Sequence, residues 1–471
     1  MNKDSSIALL AQRLRADAQR LSPGERLPSS RALTERYRVS PVTVSRALAL
    51  LTAEGVVVTR PGSGTFVSEH AARRAPARPA DFSWQSVALG EGPGGTETLA
   101  ALLTPPPADA IALSGGYLPL ALQPLRALAA ASARAARRPY AWQAPPLAGL
   151  PELRAWFAAP VGAEPSDVLV AGGGQAALSI TLRAVLRPGE PLLVESPTYQ
   201  GAITAARAAG LRPVPVPMDR HGVRPDLLAE AFARTGARAF YCQPTFHNPT
   251  GTVLAPGRRA PVLAAARAAG AFVIEDDFAR HLALAAPPPP LAADDAHGTV
   301  VHLASLTKAT VPSLRIAGIT ARGPVGERLR ACQLVDSYYP ARPLQETALE
   351  LVTSPAWPRH LRAVSAELRA RRDALALALA VHLPEAVPDT LPGGGMHMWV
   401  GLPRGTDDVA LADAARAHGV TVGAGRPYYP AEPPAPRLRL SYNATPTAED
   451  LAEGVRRLAR ALRSLPSWDA S

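Results

Sequence analysis

The sequence predicts an α/β protein in two parts. A small helical module ends in a β-hairpin, and a large domain follows that is built on a mostly parallel sheet flanked by helices. Three observations predict this. From about residue 106 to 466, short apolar runs alternate with helical stretches rich in Ala, Leu and Arg, the pattern of parallel strands buried on both faces. Residues 69–105 hold Arg, Pro, Gly and Ala with little periodicity, and HAARRAPARPA and GEGPGG read as a linker. Residues 1–68 show helical periodicity and then two β-like runs around a Gly-rich tip.

The N-terminal elements follow in order. Ile7 to Leu21 supports a first helix, with Leu10, Leu14 and Ala18 on one face. PGERLPS is a turn, and Ser29 or Ser30 caps a second helix that runs through Tyr37. Ser40 caps a third, and Pro41 takes its first position, where the missing N–H costs nothing. Val44, Ala47, Leu48 and Leu51 form the inward stripe. Val42 and Arg46 lie opposite, flanked by Thr43 and Ser45. After Gly55, VVVTRPGSGTFV makes two strands, the shape of a wing. Three helices and a wing are the parts of a winged helix-turn-helix, whose third helix enters the major groove of DNA. Ser40, Thr43, Ser45 and Arg46 are then its candidate contacts to bases and phosphates, and Arg31 faces a phosphate. The wing glycines, Gly64 among them, allow close approach of the backbone.

Charge agrees. The chain of 471 residues carries a net +11, and residues 1–70 hold ten Lys or Arg against six acids. Arg73, Arg74 and Arg78 follow without an acid among them. The length suggests two or three domains. No stretch approaches the ~20 apolar residues of a membrane span. Met1 to Asp4 is polar and unlike a signal peptide. Two cysteines, Cys242 and Cys332, make no disulfide framework and are expected to be packing residues. A cytoplasmic protein is expected, with no metal site.

In the large domain the strand-like runs are DVLVAG (167–172), PLLVES (191–196), ARAFYCQ (237–243), AFVIEDD (271–277) and TVVHLAS (299–305), with PPPP (287–290) as a loop. The strongest chemical signal is SLTKATVPSLRIAG at 305–318. Lys308 follows a strand and a hydroxyl-rich turn, and Arg315 comes seven residues later. Pyridoxal 5'-phosphate (PLP) needs such a pair: an amine for its aldehyde, and a fork of donors for its phosphate. Ser305 and Thr307 add hydroxyls. The chain has only two lysines, Lys3 and Lys308, so a lysine kept where arginine cannot do the chemistry points to a chemical role. Asp276, at the end of a strand, can face the pyridinium nitrogen. Asn248, in HNPTG, can donate to the ring hydroxyl. Gly173, Gly174 and Gln175 open a helix after a strand, a place for phosphate. Tyr199 can stack on the ring, and Arg439, in PRLRLSYN, can pair with the carboxylate of an amino acid.

The segment LPSSRALTERYRVSPVTVSRALALLTAEGVVVTRPGSGTFV resembles the GntR family of bacterial regulators, though Pro41 stands where that family often has Arg. Residues 106–466 resemble the fold-type I, PLP-dependent aminotransferases. The two together resemble the MocR family of chimeric regulators. That resemblance implies domains at 1–68 and 106–471. It implies Lys308 as the Schiff-base lysine, Asp276 as partner of the pyridine nitrogen and Asn248 as partner of the ring hydroxyl. Tyr199 becomes the stacking ring, Arg315 and Ser305 phosphate ligands, Gly173, Gly174 and Gln175 the phosphate loop, and Arg439 the carboxylate clamp. It also implies a homodimer with exchanged heads, an operator in double-stranded DNA, and PLP or an amino-compound effector. The alternative is a PLP-dependent aminotransferase with a residual DNA-binding head, and weak transamination fits beside regulation. Two departures stand out. EDDF puts Phe278 where the family has Tyr, and YAWQAPPLAG replaces a segment whose Tyr reaches the partner subunit, leaving Tyr140 or Trp142 for that place.

Overall fold

The computed structural model describes residues 3–68, 81–90, 92, 94, 96–107 and 109–465. The chain divides into two compact units, Met1–Gly92 and Pro93–Ser471.

The first unit holds α1 (Lys3–Ala18), α2 (Ser30–Tyr37), α3 (Pro41–Ala53), β1 (Val57–Arg60) and β2 (Gly64–Val67). α1 starts earlier than its periodicity suggests and stops at Ala18. The N–H of Leu21 then bonds back to Ala18 in a turn ahead of Pro23–Gly24. The hydroxyl of Ser29 accepts the N–H of Ala32, and that of Ser40 accepts the N–H of Thr43 at 3.2 Å. Each cap satisfies one of the orphan donors of its helix. Arg38, at φ 49°, closes α2 and turns the chain into α3. Leu14, Leu33, Val44 and Leu51 are fully buried together. β1 and β2 pair antiparallel, with Arg60 opposite Gly64, so Pro61–Ser63 forms the wing tip. In the stretch read as a linker, two short helices occur, Ser83–Leu89 and Thr96–Leu103.

In the second unit, β3 (Ile111–Ala112) precedes an eight-stranded sheet. Its strands are β4 (Val168–Ala171), β5 (Pro191–Ser196), β6 (Arg212–Asp219), β7 (Gly222–Val223), β8 (Ala239–Cys242), β9 (Phe272–Asp277), β10 (Val300–Ser305) and β11 (Ala317–Thr320). The order is β4-β11-β10-β9-β8-β5-β6-β7. β10, β9, β8, β5 and β6 run parallel, and β11 is antiparallel to both of its neighbours. β4 therefore points the same way as β10, and the parallel strands all end on one edge of the sheet. Neighbouring residues feed opposite cores. Val194, Tyr241 and Ile274 pack on one face with Leu178 and Leu329, while Leu193, Phe240 and Val273 pack on the other with Leu228 and Leu263. Burial on both faces is why these strands read as continuous apolar runs.

The C-terminal part has β12 (Val387–Pro388), β13 (His397–Gly401), β14 (Val420–Thr421), β15 (Gly423–Ala424) and β16 (Arg437–Ser441). An antiparallel sheet runs β12-β13-β16-β15, and β14 pairs with β3. His397 stands opposite Ser441 in this register. No described helix is long and apolar enough to cross a membrane.

Candidate cofactor cavity and nucleic-acid interface

The C-terminal edge of a parallel sheet is where loops converge on ligands. Here they enclose a cleft of about 880 Å³, open mouth included. β10 ends in Ser305, and a single 3-10 turn, Thr307–Ala309, carries Lys308 into the cleft. The Lys308 amine donates to the Gly116 carbonyl at 2.7 Å and sits 4.0 Å from the centre of the Tyr117 ring. Burial, with Arg439 and Arg315 nearby and Asp276 opposing them, lowers the amine to about 7.

Asp276 leaves the end of β9. Its carboxylate accepts the Tyr241 hydroxyl at 2.6 Å and the Gln243 amide at 2.8 Å. Loss of hydration raises its pKa, and the two hydrogen bonds oppose that rise. The other end of the Gln243 side chain accepts the N–H of Asn248 at 3.0 Å. Tyr241 and Gln243 are site residues that sequence reasoning missed. The signal appears only with the pairing: Cys242 lies opposite Glu275, so Gln243 stands beside Asp276.

An anion corner forms next to them. Gly173, at φ +95°, precedes the helix Gly174–Val185, whose first N–H groups are free of intrahelical partners. A Cβ on Gly173 would lie 2.7 Å from the guanidinium carbon of Arg315, and one on Gly174 3.6 Å from Ser305 Oγ. Ser305 Oγ accepts the N–H of Thr307, and the buried Thr307 hydroxyl has no protein partner. A guanidinium, a helix N-terminus and an orphan hydroxyl around a glycine make a donor set for phosphate, so the residues present fit that group of PLP.

Tyr199 lines the same cleft and donates to Gln175 at 3.1 Å, while the Gln175 amide donates to the Gly201 carbonyl. Burial raises the Tyr199 phenol well above its ordinary value. Arg439, on β16, extends Nη1 to within 3.4 Å of both Asn248 Oδ1 and His397 Nε2. Its Nη2 donates to the Ser114 carbonyl, and its buried Nε has no protein partner. His397 escapes a reading of the sequence because one histidine in an apolar strand carries no pattern.

Thus Lys308, Asp276, Asn248, Tyr199, Gly174, Gln175, Ser305, Arg315 and Arg439 all line one cleft, with Gly173 packed against Arg315 at its edge. Phe278 lines it too, and so do Leu99 and Leu103 from the stretch read as a linker. Tyr140 and Trp142 do not line it. They are 41% and 77% exposed, and Tyr140 stacks under Arg342.

In the head, Arg31, Ser45 and Arg46 are exposed, and Val42 is 62% exposed, while Thr43 is half-buried. The Ser40 hydroxyl is engaged at the cap, 2.8 Å from that of Thr43. Gly64, at φ +115°, backs onto Arg26, where a Cβ would meet the guanidinium at 2.7 Å.

Comparison with known proteins adds two matches and several relatives. Residues 8–67 match the bacterial regulatory proteins of the gntR family, and residues 108–458 match aminotransferase class I and II. The 2-aminoadipate transaminase of Thermus thermophilus is 34% identical over 82% of this chain and 98% of its own length. The transcriptional regulator TauR of Rhodobacter capsulatus is 29% identical over 94% of this chain and 93% of its own. The probable rhizopine catabolism regulatory protein MocR of Rhizobium meliloti is 27% identical over 100% and 97%. Among solved structures, the α-aminoadipate aminotransferase LysN, also of Thermus thermophilus and complexed with N-(5'-phosphopyridoxyl)-L-leucine, superposes with a TM-score of 0.75. It is 32% identical and covers 81% of this chain and 99% of its own.

Proposed function

Since the chain belongs to the aminotransferase class I and II family and carries a gntR-type head, the composition of the MocR-type chimeras, we propose that it is a transcription regulator that senses PLP, or an amino compound meeting PLP, and answers on DNA. One observation carries this reading: a lysine amine lowered to about 7, a carboxylate and an anion corner converge in one cleft of a chain that begins with a winged helix-turn-helix.

When bound, PLP supplies an aldehyde for amines and an electron-withdrawing ring. The protein's residues do the rest. Gly173, Gly174, Gln175, Ser305 and Arg315 would hold the phosphate, and the free hydroxyl of Thr307 would add a donor. Asp276, oriented by Tyr241 and Gln243, would hold the pyridine nitrogen. Tyr199 would pack against the ring and Asn248 would bind its hydroxyl, both from the lining of the same cleft. The Lys308 amine, largely unprotonated above neutral pH, is the nucleophile and can then carry a proton. Arg439 receives the carboxylate of the effector through its unpartnered edge.

Arg31, Ser45 and Arg46 meet DNA in the head, with Thr43, Ser40 and the wing at Gly64 beside them. Residues 69–105 connect head to sensor. The working form is a cytoplasmic homodimer with exchanged heads. Coupling requires only that the effector bind one conformation better than another. Lys308 and Asp276 also equip the chain for slow transamination, and Phe278 withholds the hydroxyl that a tyrosine there would offer.

The test is binding of the purified protein to the DNA immediately upstream of its own gene, with and without PLP. Selective binding that PLP alters supports the sensor with PLP as signal. Selective binding indifferent to PLP points to an amino compound as signal. No selective binding in either state returns the chain to the aminotransferases.

A further inference from the structure

Arg439 and Ser441 lie on the same face of β16, two residues apart, and His397 on β13 stands opposite Ser441. The imidazole bridges them. Its Nδ1 is 3.0 Å from Ser441 Oγ, and its Nε2 is 3.4 Å from Arg439 Nη1. The Ser441 hydroxyl donates its only hydrogen to the Gly115 carbonyl, so toward His397 it can only accept. Arginine can only donate. One form of the ring satisfies both neighbours: neutral, with the proton on Nδ1 and the lone pair of Nε2 facing the guanidinium. A protonated ring would turn an N–H toward Arg439 and set two cations together.

The other partners of Arg439 sharpen the point. Nη1 has two hydrogens, and Asn248 Oδ1 and His397 Nε2 take them. Nη2 gives one to Ser114, and Nε gives none to the protein although it is buried. The guanidinium is therefore pinned at one end, and its buried Nε keeps a donor that no protein group takes.

We propose that His397 is a positioning residue that, as a neutral acceptor, fixes the Arg439 guanidinium in the orientation that receives the carboxylate of an amino-acid effector. The inference rests on the reading of Arg439 given above. The charged groups nearest the ring are Arg439 on β16 and Lys308 after β10, with Asp276 lining the same cleft. Burial, together with both cations, holds His397 well below the usual histidine range, so the acceptor form persists at neutral pH.

The experiment uses the full-length protein freed of PLP and two probes that differ by one carboxylate, N-(5'-phosphopyridoxyl)-L-alanine and N-(5'-phosphopyridoxyl)ethylamine. Calorimetry gives the ratio of their affinities, which isolates the carboxylate from the phosphate and ring. The wild type is expected to prefer the alanine adduct by about tenfold or more. His397→Phe, which removes the acceptor, and His397→Asn, whose oxygen cannot reach the Nε2 position, are each expected to lose about tenfold of that preference. His397→Gln, whose oxygen can reach it, retains the preference. Equal ratios in the Asn and Gln variants, or an unchanged ratio in the Phe variant, overturn the proposal. The Asn and Gln pair decides even if the Phe variant fails to fold. A wild-type ratio near one removes the carboxylate from Arg439 and overturns both readings. A preference that survives in all variants overturns the role of His397 alone.

Discussion

Gly173 and Arg315 share one corner only because position 173 has no side chain: a Cβ there would lie 2.7 Å from the guanidinium carbon. The backbone of Gly173 also takes φ +95°, outside the range that alanine adopts without strain. Gly173→Ala therefore displaces Arg315 from the anion corner and strains the turn together. We expect a loss of about 1–3 kcal/mol in stability from the backbone alone. PLP affinity falls by roughly tenfold or more, the worth of one charge-assisted hydrogen bond. Denaturant unfolding and absorbance titration with PLP measure the two effects. Wild-type PLP affinity in this variant would separate Arg315 from the phosphate.

The Lys308 amine, lowered to about 7, predicts two pH dependences. Only the unprotonated amine attacks an aldehyde, so the rate of PLP uptake rises with pH through about 7 and then levels. Stopped-flow absorbance reads it, and a flat rate across that window removes Lys308 as the nucleophile. The second concerns stability without cofactor. The unfolded lysine titrates near ~10.4 and the folded one lower, so between the two the unfolded state binds more protons. Stability of the PLP-free protein must then rise with pH across that window, and Lys308→Met abolishes this part of the slope.

Tyr241→Phe takes away one of the two donors that keep the Asp276 carboxylate ionised in a place where burial favours its protonation. A hydrogen bond to a charged group contributes about 1.5–3 kcal/mol. Weaker PLP binding is expected, with the deficit largest toward acidic pH, where the carboxyl of the variant protonates first, and shrinking as pH rises. Equal PLP affinity in wild type and variant at each pH means that Asp276 does not face the ring.

How much of this is readable in the sequence depends on whether the signal is local. The buried strands ending at Asp277 and Ser305, and the stripe Val44, Ala47, Leu48 and Leu51, are visible because burial on one or two faces writes a short period into neighbouring residues. β6 is not visible in this way. RPVPVPMD carries three prolines, which read as breakers. They are tolerated because this strand pairs along its length only with β5 and meets β7 only at its end. Tyr241, Gln243 and His397 are hidden for another reason. Each gains its role from a residue on a neighbouring strand, and register across a sheet leaves no trace along one strand. Leu99 and Leu103 sit in a stretch whose Pro and Gly content reads as a linker, though the short helix there turns both toward the cleft.

Arg46 offers the sharpest test of the head. It is exposed on α3, beside the buried stripe rather than in it, and makes no ion pair among the described residues. Arg46→Ala should therefore leave folding and PLP binding unchanged and act on DNA alone. A contact to a base edge costs about 1–3 kcal/mol and relaxes selectivity at one operator position. A contact to phosphate weakens binding to all sequences alike and reduces the salt slope by about one. Affinity measured on the operator and on unrelated DNA, each at several salt concentrations, tells the two apart. Ser40→Ala separates the cap from a contact, because its hydroxyl caps α3. It costs about 1 kcal/mol of head stability, seen in its melting, and a loss of DNA affinity beyond that marks the hydroxyl as a DNA contact as well. If Arg46→Ala changes neither affinity nor salt slope, the recognition face lies on another side of α3, and Ser45 leaves the interface with it.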